Sequence, residues 1–476
     1  MIGATCSFAD SQNVADFGAI ADEKTDNTIA IQSAIDKCNA TGGGEVLFPN
    51  KTGVYLSKRL NLKSNVVLNI PQNVVLRAIV PAVKKRFIEA ESAENIGITG
   101  GGTIDGNGDK HPYVRKPKPN QQRPHLIRFR LCKNVRITDI NLIRPANMNI
   151  VTSNCHDVMI RGVKILAHSN HNNDGIDIEG SNITISDCII DCTDDALCFK
   201  SNAKDSITKN VTITNCVIAS NCNLIKFGTT CLGGFKNITI SNITMHRSVA
   251  SPVHNWKKTL KWAGIDEEIT GLAGIALEAV DGGFFEDVNI SNISMSGVQT
   301  PIFIRVDNRK KYRTEGDTSK SYMKNVIISS ITAKSDSLIA NSITAVENHS
   351  LKNIVIRDCF LNMKGAKKEL ITKNEINGNI QEAYGYYPEN RMFKSILPAY
   401  GFFLRRAHNV TFDNVQMSYY GAEDTRPAFF IEKSTDISII NCKVQKPANN
   451  QPVIQLKESP KPYTFSLQEK DTPFLN

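Results

Sequence analysis

No apolar run in this chain is long enough to span a membrane, and the 3.6-residue periodicity of amphipathic helices is largely missing. Those two absences remove membrane-spanning helices and helical bundles from consideration. No Gly/Ser-rich or Pro-rich linker interrupts the sequence, so a string of tethered domains is removed as well. Tryptophan occurs only twice. Twelve cysteines are present, yet no spacing among them makes a zinc site. Basic clusters stand at Lys84-Lys85-Arg86, Arg115-Lys116, Arg309-Lys310-Lys311 and Arg405-Arg406, with no recognition helix, zinc finger or aromatic RNA-binding signature beside them. They read as solvated surface. With a formal charge of +9 and a pI near 8.8, the natural partner is an acidic polymer and not a nucleic acid.

What the chain does have is a repeat. An Asn or Asp, a branched apolar residue, any residue and a second apolar one recur at Asn134-Val135-Arg136-Ile137, Asp157-Val158-Met159-Ile160, Asn182-Ile183-Thr184-Ile185, Asn210-Val211-Thr212-Ile213 and Asn237-Ile238-Thr239-Ile240. Later copies begin at Asp287, Asn325, Asn353, Asn409 and Asp436, and most starts lie 23 to 28 residues apart, a solenoid period. Each copy alternates apolar and polar residues over a run rich in Val, Ile and Thr, the period-two pattern of a strand. A coil that cannot bury its own apolar face must stack on neighbours, which predicts an all-β, single-stranded parallel β-helix with rungs ~4.8 Å apart. The repeated Asn and Asp become ladders that satisfy backbone groups at the turns.

The predicted array covers residues 13–445, with long insertions at about 248–272 and 364–400. Ile31, Ala34, Ile35 and Cys38 have helical spacing, with Asp26 and Thr28 as caps and Gly42-Gly43-Gly44 as the stop, predicting a short helix that plugs the first coil. Residues 446–476 are polar and Pro-rich and read as an irregular tail packed on the array. Residues 1–12 read as a signal-peptide remnant or disordered segment. Met1–Ala9 lacks a positive start and a full apolar stretch but ends in small residues, so the expectation is export to the periplasm or beyond if this is a truncated signal peptide, and a cytoplasmic protein otherwise. Cys188, Cys216, Cys359 and Cys442 occupy one slot of the repeat and read as small buried apolar residues, with a Cys188–Cys216 bridge as the alternative.

Against this monotony, Asn172-Asn173-Asp174-Gly175 and Asp194-Asp195 gather carboxylates one repeat apart. Adjacent acids are poor strand material without a use, and they point to acid/base chemistry. These motifs, in order and spacing, together with Gly101-Gly102-Thr103-Ile104-Asp105-Gly106, Arg123-Pro124-His125-Leu126-Ile127 and the opening Val14-Ala15-Asp16-Phe17-Gly18-Ala19, resemble family 28 of the glycoside hydrolases, the polygalacturonase family.

The resemblance implies a right-handed helix and an inverting hydrolysis without metal or cofactor, in which one carboxylic acid protonates the leaving oxygen and a carboxylate activates water. Carried over, Asp194 is the general acid, Asp174 and Asp195 hold and deprotonate the water, and Asn172 donates to sugar or water. Crowding of Asp194 by its neighbours is expected to raise its pKa while one of them stays ionised. The chain departs from the family where Gly-His-Gly and Arg-Ile-Lys would stand, because Asn223 takes the His position and Ala276 and Glu278 take those of Arg and Lys. Glu278 is therefore expected to repel a carboxylate and to suit hydroxyls, with Lys226 or Lys200 as replacement cations. Trp256 and Trp262 in the first insertion read as a lid or subsite wall, with a self-packed loop as the alternative. Tyr384, Tyr386 and Tyr387 in the second raise the same question, and two insertions over a cleft favour exo-action.

The expectation is thus an inverting glycosidase on a pectic or related acidic oligosaccharide. A polysaccharide lyase on the same fold, with Ca²⁺ at the Asp cluster, and a non-catalytic carbohydrate-binding β-helix remain as alternatives.

Overall fold

The computed structural model describes residues 11–475 apart from 83, 112, 115–117, 119–120 and 383–386. Met1–Ala9, Arg115-Lys116, Tyr384 and Tyr386 therefore lie outside the described residues. The fold is a right-handed parallel β-helix, divided into two compact units, Met1–Thr193 and Asp194–Asn476. Among the described residues no helix is long and apolar enough to cross a membrane.

In the N-terminal unit, strands Glu94–Thr99, Lys133–Thr138, Cys155–Arg161 and Gly180–Ser186 pair in parallel, and their inward residues align as Ile96, Val135, Val158 and Ile183. All four are buried. The C-terminal unit repeats the device over longer strands, where Val211, Ile238, Val288, Val326, Ile354, Val410 and Ile437 form one row. Period-two alternation sends these residues inward and the intervening Thr, Ser and Lys outward. Phe199 and Phe227 stack inside the same unit at 3.9 Å between ring centroids.

The turn ladders are the predicted ones. Asn210, Asn237, Asp287, Asn325, Asn353 and Asn409 all adopt left-handed φ between 51° and 58°, a conformation that Asn and Asp accept more readily than other side chains. The Asn237 amide donates to Asn210 Oδ1 at 2.9 Å, Asn325 to Asp287 at 2.9 Å and Asn353 to Asn325 at 3.1 Å. The eleven described cysteines are free and buried, and Cys216, Cys359 and Cys442 each direct the thiol to the carbonyl two residues earlier. They act as small apolar residues rather than as bridges.

The N-terminal helix spans Thr28–Ala40 and buries Ile31, Ala34, Ile35 and Cys38 against strands of the first coils. Its cap differs in detail from expectation. Asn27 is the capping residue but turns its side chain to Ile20 and Thr25, while Asp26 accepts the Thr28 N–H at 3.1 Å.

The predicted tail is instead another coil. Strands Ile454–Lys457, Tyr463–Phe465 and Gln468–Lys470 pair in parallel with those at Phe429–Glu432, Thr435–Ile440 and Lys443–Gln445. A last coil has a neighbour on one side only, so its strands carry polar, exposed residues and escape a pattern search tuned to burial.

Both insertions belong to the C-terminal unit and pack together. Trp256, Leu260, Ala263 and Ile265 from the first meet Ile380, Met392, Phe393 and Leu397 from the second. This apolar cluster sits on the outward residues Ala276, Phe303, Phe403 and Phe430 of successive strands, and a sheet face that the repeat alone would leave wet is dry here.

Candidate active site

Asp194 and Asp195 open the C-terminal unit, just before the strand Leu197–Ser201. Asp195 is buried and held from several sides. The Asn223 side-chain amide donates to its Oδ1 at 2.9 Å and the Asn223 backbone N–H at 3.2 Å, while Lys226 Nζ lies 3.3 Å from Oδ2. Burial alone would push the Asp195 carboxyl up, but the cations of Lys226 and Lys200 and the hydrogen bonds from Asn223 and Cys222 outweigh it and hold it below the ordinary carboxylate range. Asp194 keeps some solvent access. Burial and the Asp195 charge push it up to about 6, against the opposing pull of Lys226. The Asp195 N–H donates to Asp194 Oδ1 at 3.0 Å, so the two acids are fixed relative to each other. One carboxylate is kept ionised beside one poised to carry a proton, as the crowding argument expects.

Several residues expected to touch substrate also surround this pair. Asn223 is fully buried, and its amide is committed to Asp195. It is a positioning residue. Lys226 is also fully buried, and the Asp195 carboxylate sustains its charge although burial opposes it. Tyr387, half-exposed, covers it with the ring centroid 4.8 Å from Nζ. Lys200 is partly exposed and donates to the Gly228 carbonyl at 3.0 Å.

The surroundings of Glu278 work against the charge expected of it. It is fully buried, neither carboxyl oxygen has a hydrogen-bond partner among the described residues, and burial pushes it up to about 8 despite Lys226 and Arg309. At neutral pH it is chiefly the uncharged acid, a donor of one hydrogen bond. Ala276, at the other missing clamp position, is floor to the apolar cluster, so a charged side chain there would be desolvated without a partner.

Of the two tryptophan readings, the surroundings of Trp256 match the self-packed loop. Trp256 is buried between the His254 ring, 4.7 Å away, and the Arg391 guanidinium, 5.0 Å away, and its Nε1 donates to the Asn221 carbonyl at 2.7 Å. Its faces are closed to a sugar. It braces the Asn221–Asn223 segment and through it Asp195. Trp262 is half-buried against the same cluster.

Other buried residues escaped the sequence reading. Arg309, taken as surface charge, is buried in a bidentate pair with Asp281 at 3.1 and 2.7 Å. Arg405, likewise read as surface, is buried on Glu432 at 2.6 Å. Tyr387 and Glu389 arrive from the second insertion, anchored by buried Asn390, which donates to the Leu272 carbonyl at 2.8 Å and Thr300 Oγ1 at 3.1 Å. Tyr387 stood out in the sequence, but only contacts across the unit reveal where it lands.

Asp194, Asp195 and Cys222 bring potential ligand atoms within 4.8 Å of one another. The donor set does not fit a divalent cation. Burial and the two aspartates push the Cys222 thiol well above its ordinary value, so it stays protonated, and Lys226 already occupies Asp195 Oδ2.

In the N-terminal unit, Asp174 is buried, and its carbonyl accepts from the Asn149 N–H and side-chain amide at 3.1 and 2.8 Å. Asn173 staples the same loop through Ser169, Asn170, Pro145 and Asn147, whereas Asn172 is exposed with left-handed φ of 56°. Arg123, from the Arg-Pro-His motif, reaches the His171 carbonyl and Asn172 Oδ1 and lies over the Tyr113 ring. The motif thus fixes the loop that carries Asn172 and Asp174.

The model of a family described as Glycosyl hydrolases family 28 matches residues 38–380. The chain is 30% identical over 217 residues to a polygalacturonase of Persea americana, covering 42% of this chain and 46% of that protein, so it spans about half of that relative. It is 24% identical to polygalacturonase-2 of Solanum lycopersicum, over 78% of this chain and 79% of that one. Among solved structures, a hyperthermoactive exopolygalacturonase from Thermotoga maritima is similar in fold, with 17% identity and a TM-score of 0.56 over 98% of this chain and 93% of the other.

Proposed function

Because the chain belongs to the glycosyl hydrolases family 28 and is a glycosidase, we propose that it hydrolyses a glycosidic bond in a pectic, uronate-containing oligosaccharide with inversion, at or near a chain end. The observation that carries the reading is the division of labour between Asp194 and Asp195. Asp194, pushed up to about 6, donates its proton to the leaving oxygen, and Asp195, kept ionised by Lys226 and Asn223, orients and helps deprotonate the attacking water. From the resemblance of their motif alone, Asp174 is a carboxylate for water and Asn172 a donor to sugar. The pectic substrate is supported by the names of the relatives, and chain-end action by Tyr387 and Glu389, which the second insertion brings into the surroundings of the acids. Lys200, Lys226 and Glu278 serve recognition of the sugar.

The test incubates wild type and Asp194→Asn with polygalacturonate, rhamnogalacturonan and pectic oligosaccharides. New reducing ends without the ultraviolet absorbance of unsaturated products, lost in the variant, with the anomer of the first product inverted by NMR, are expected. Unsaturated products, or a retained anomer, would sink the mechanism, and no product from any pectic substrate would sink the substrate class.

A further inference from the structure

Three buried polar groups near Asp195 are left with unfilled hydrogen-bonding capacity. Lys226 Nζ has its ion pair to Asp195 at 3.3 Å but no hydrogen bond of good geometry. Arg309 uses Nε and one terminal nitrogen on Asp281 and the Thr229 carbonyl, and its Nη1 has no partner among the described residues. Glu278 has neither oxygen bonded. Unpaired polar groups in a protein interior cost free energy, and three around one spot mark either a waste or a use.

Two of the three groups lie near one ring. The Tyr387 ring centroid is 4.8 Å from Lys226 Nζ and 5.9 Å from the Arg309 guanidinium carbon, while the residue itself is 41% exposed. Arg309 also has the Tyr312 ring 5.1 Å away, and Tyr387 is a ring close to both buried cations.

We propose that Tyr387 covers a binding cell for a sugar carboxylate, in which Lys226 and Arg309 supply the positive charge and the unpaired carboxyl group of Glu278 completes the polar lining. The inference rests on the proposed glycosidase reading and assigns its recognition of uronate to residues outside Ala276 and Glu278, where the resemblance would place the cations. When the ring turns aside, the carboxylate takes the places left open on Lys226 Nζ and Arg309 Nη1. Glu278 gives its proton's hydrogen bond to the same anion, or to an adjacent hydroxyl, and so does not repel it. A neutral hexose gains neither cation, and the aromatic cover over Lys226 and Arg309 stays the better partner.

The experiment uses the full-length Asp194→Asn protein, so that binding is read without turnover. Galacturonate and galactose are titrated by calorimetry, and Lys226 is followed by its rate of acylation with a water-soluble ester, read by mass spectrometry. Galacturonate is expected to bind at least ~10-fold more tightly than galactose, and Lys226→Met to abolish that preference. Glu278→Gln, uncharged like the native acid, is expected to keep it. Tyr387→Ala alters a half-exposed residue and covers the case in which Lys226→Met does not fold. It is expected to raise Lys226 acylation ~10-fold or more, with galacturonate but not galactose restoring protection. Equal protection by the two sugars, a Lys226 that stays unreactive after Tyr387→Ala, or no binding of galacturonate overturns the proposal. If wild type cleaves pectic oligosaccharides while uronate preference ignores Lys226 and Tyr387, the cell falls and the glycosidase reading stands. If galacturonate binds as described but no pectic substrate is cleaved, the reverse holds.

Discussion

Aspartate does two different jobs in this molecule. Asp157, Asp287 and Asp358 sit exposed at turns with φ between 55° and 58°, and each accepts the side-chain amide of an Asn in another coil at 2.9 Å. Asp195 is buried, with one oxygen on Asn223 and the other facing Lys226. In the ladders water shares the charge, so the carboxylate is interchangeable with an amide. At the site protein groups alone decide the charge, so the same substitution changes the chemistry.

Replacement of Asp by Asn is the sharpest way to separate the two. Asp194→Asn is expected to lower kcat by roughly 10²–10⁴-fold, the worth of a general acid, while Asp287→Asn leaves kcat within about twofold, as for a surface substitution. Equal losses would erase the distinction. Next in size, Trp256→Ala should cost about 3–5 kcal/mol of stability by emptying the cluster between the insertions, read as a lower midpoint of denaturant unfolding. If Trp256 instead stacked on substrate, KM would rise with the midpoint unchanged.

The pH profile probes the acid directly. Because Asp194 must be protonated to act and its value is near 6, kcat/KM should fall as pH rises through about 6. Lys226 pulls that value down, so Lys226→Met should move the falling limb to higher pH in whatever activity remains. Smaller still, Asn353→Ala removes two ladder contacts at a left-handed residue and should cost about 1–2 kcal/mol with kcat unaltered. The finest test is Glu278. Its folded value near 8 lies above the unfolded one, so the stability it confers is full below about 4.5 and is lost as pH rises through 8. Glu278→Gln should flatten the fall in melting temperature over that window.

The repeat was legible because it is local. Asn210-Val211-Thr212-Ile213 states in four residues both the left-handed turn and the inward strand, and Ile31, Ala34, Ile35 and Cys38 state a helix face. Asp194-Asp195 was legible because two adjacent acids break that pattern. What stayed hidden depends on burial set far along the chain. Arg309 reads like any surface arginine until Asp281 is seen beside it, and Glu278 reads as an anion until its solvent is removed. Trp256 showed its importance but not its direction. The last coil hid for the opposite reason, since nothing beyond it demanded apolar residues.

The ladders carry one more lesson, about where such a molecule can change. Asn292 donates to Asn242 at 2.6 Å across 50 residues of chain and Asn409 to Asn353 at 2.9 Å across 56, yet Asn237 reaches Asn210 at 2.9 Å across only 27. The rung spacing is indifferent to how much chain leaves and returns between the fixed corners, and closing a longer loop costs little extra entropy. An added segment is therefore a nearly free experiment for a lineage. The scaffold acts as a rack on which binding surfaces can be swapped without retuning the core, and the two segments that bring Trp256 and Tyr387 to the acids show this rack in use.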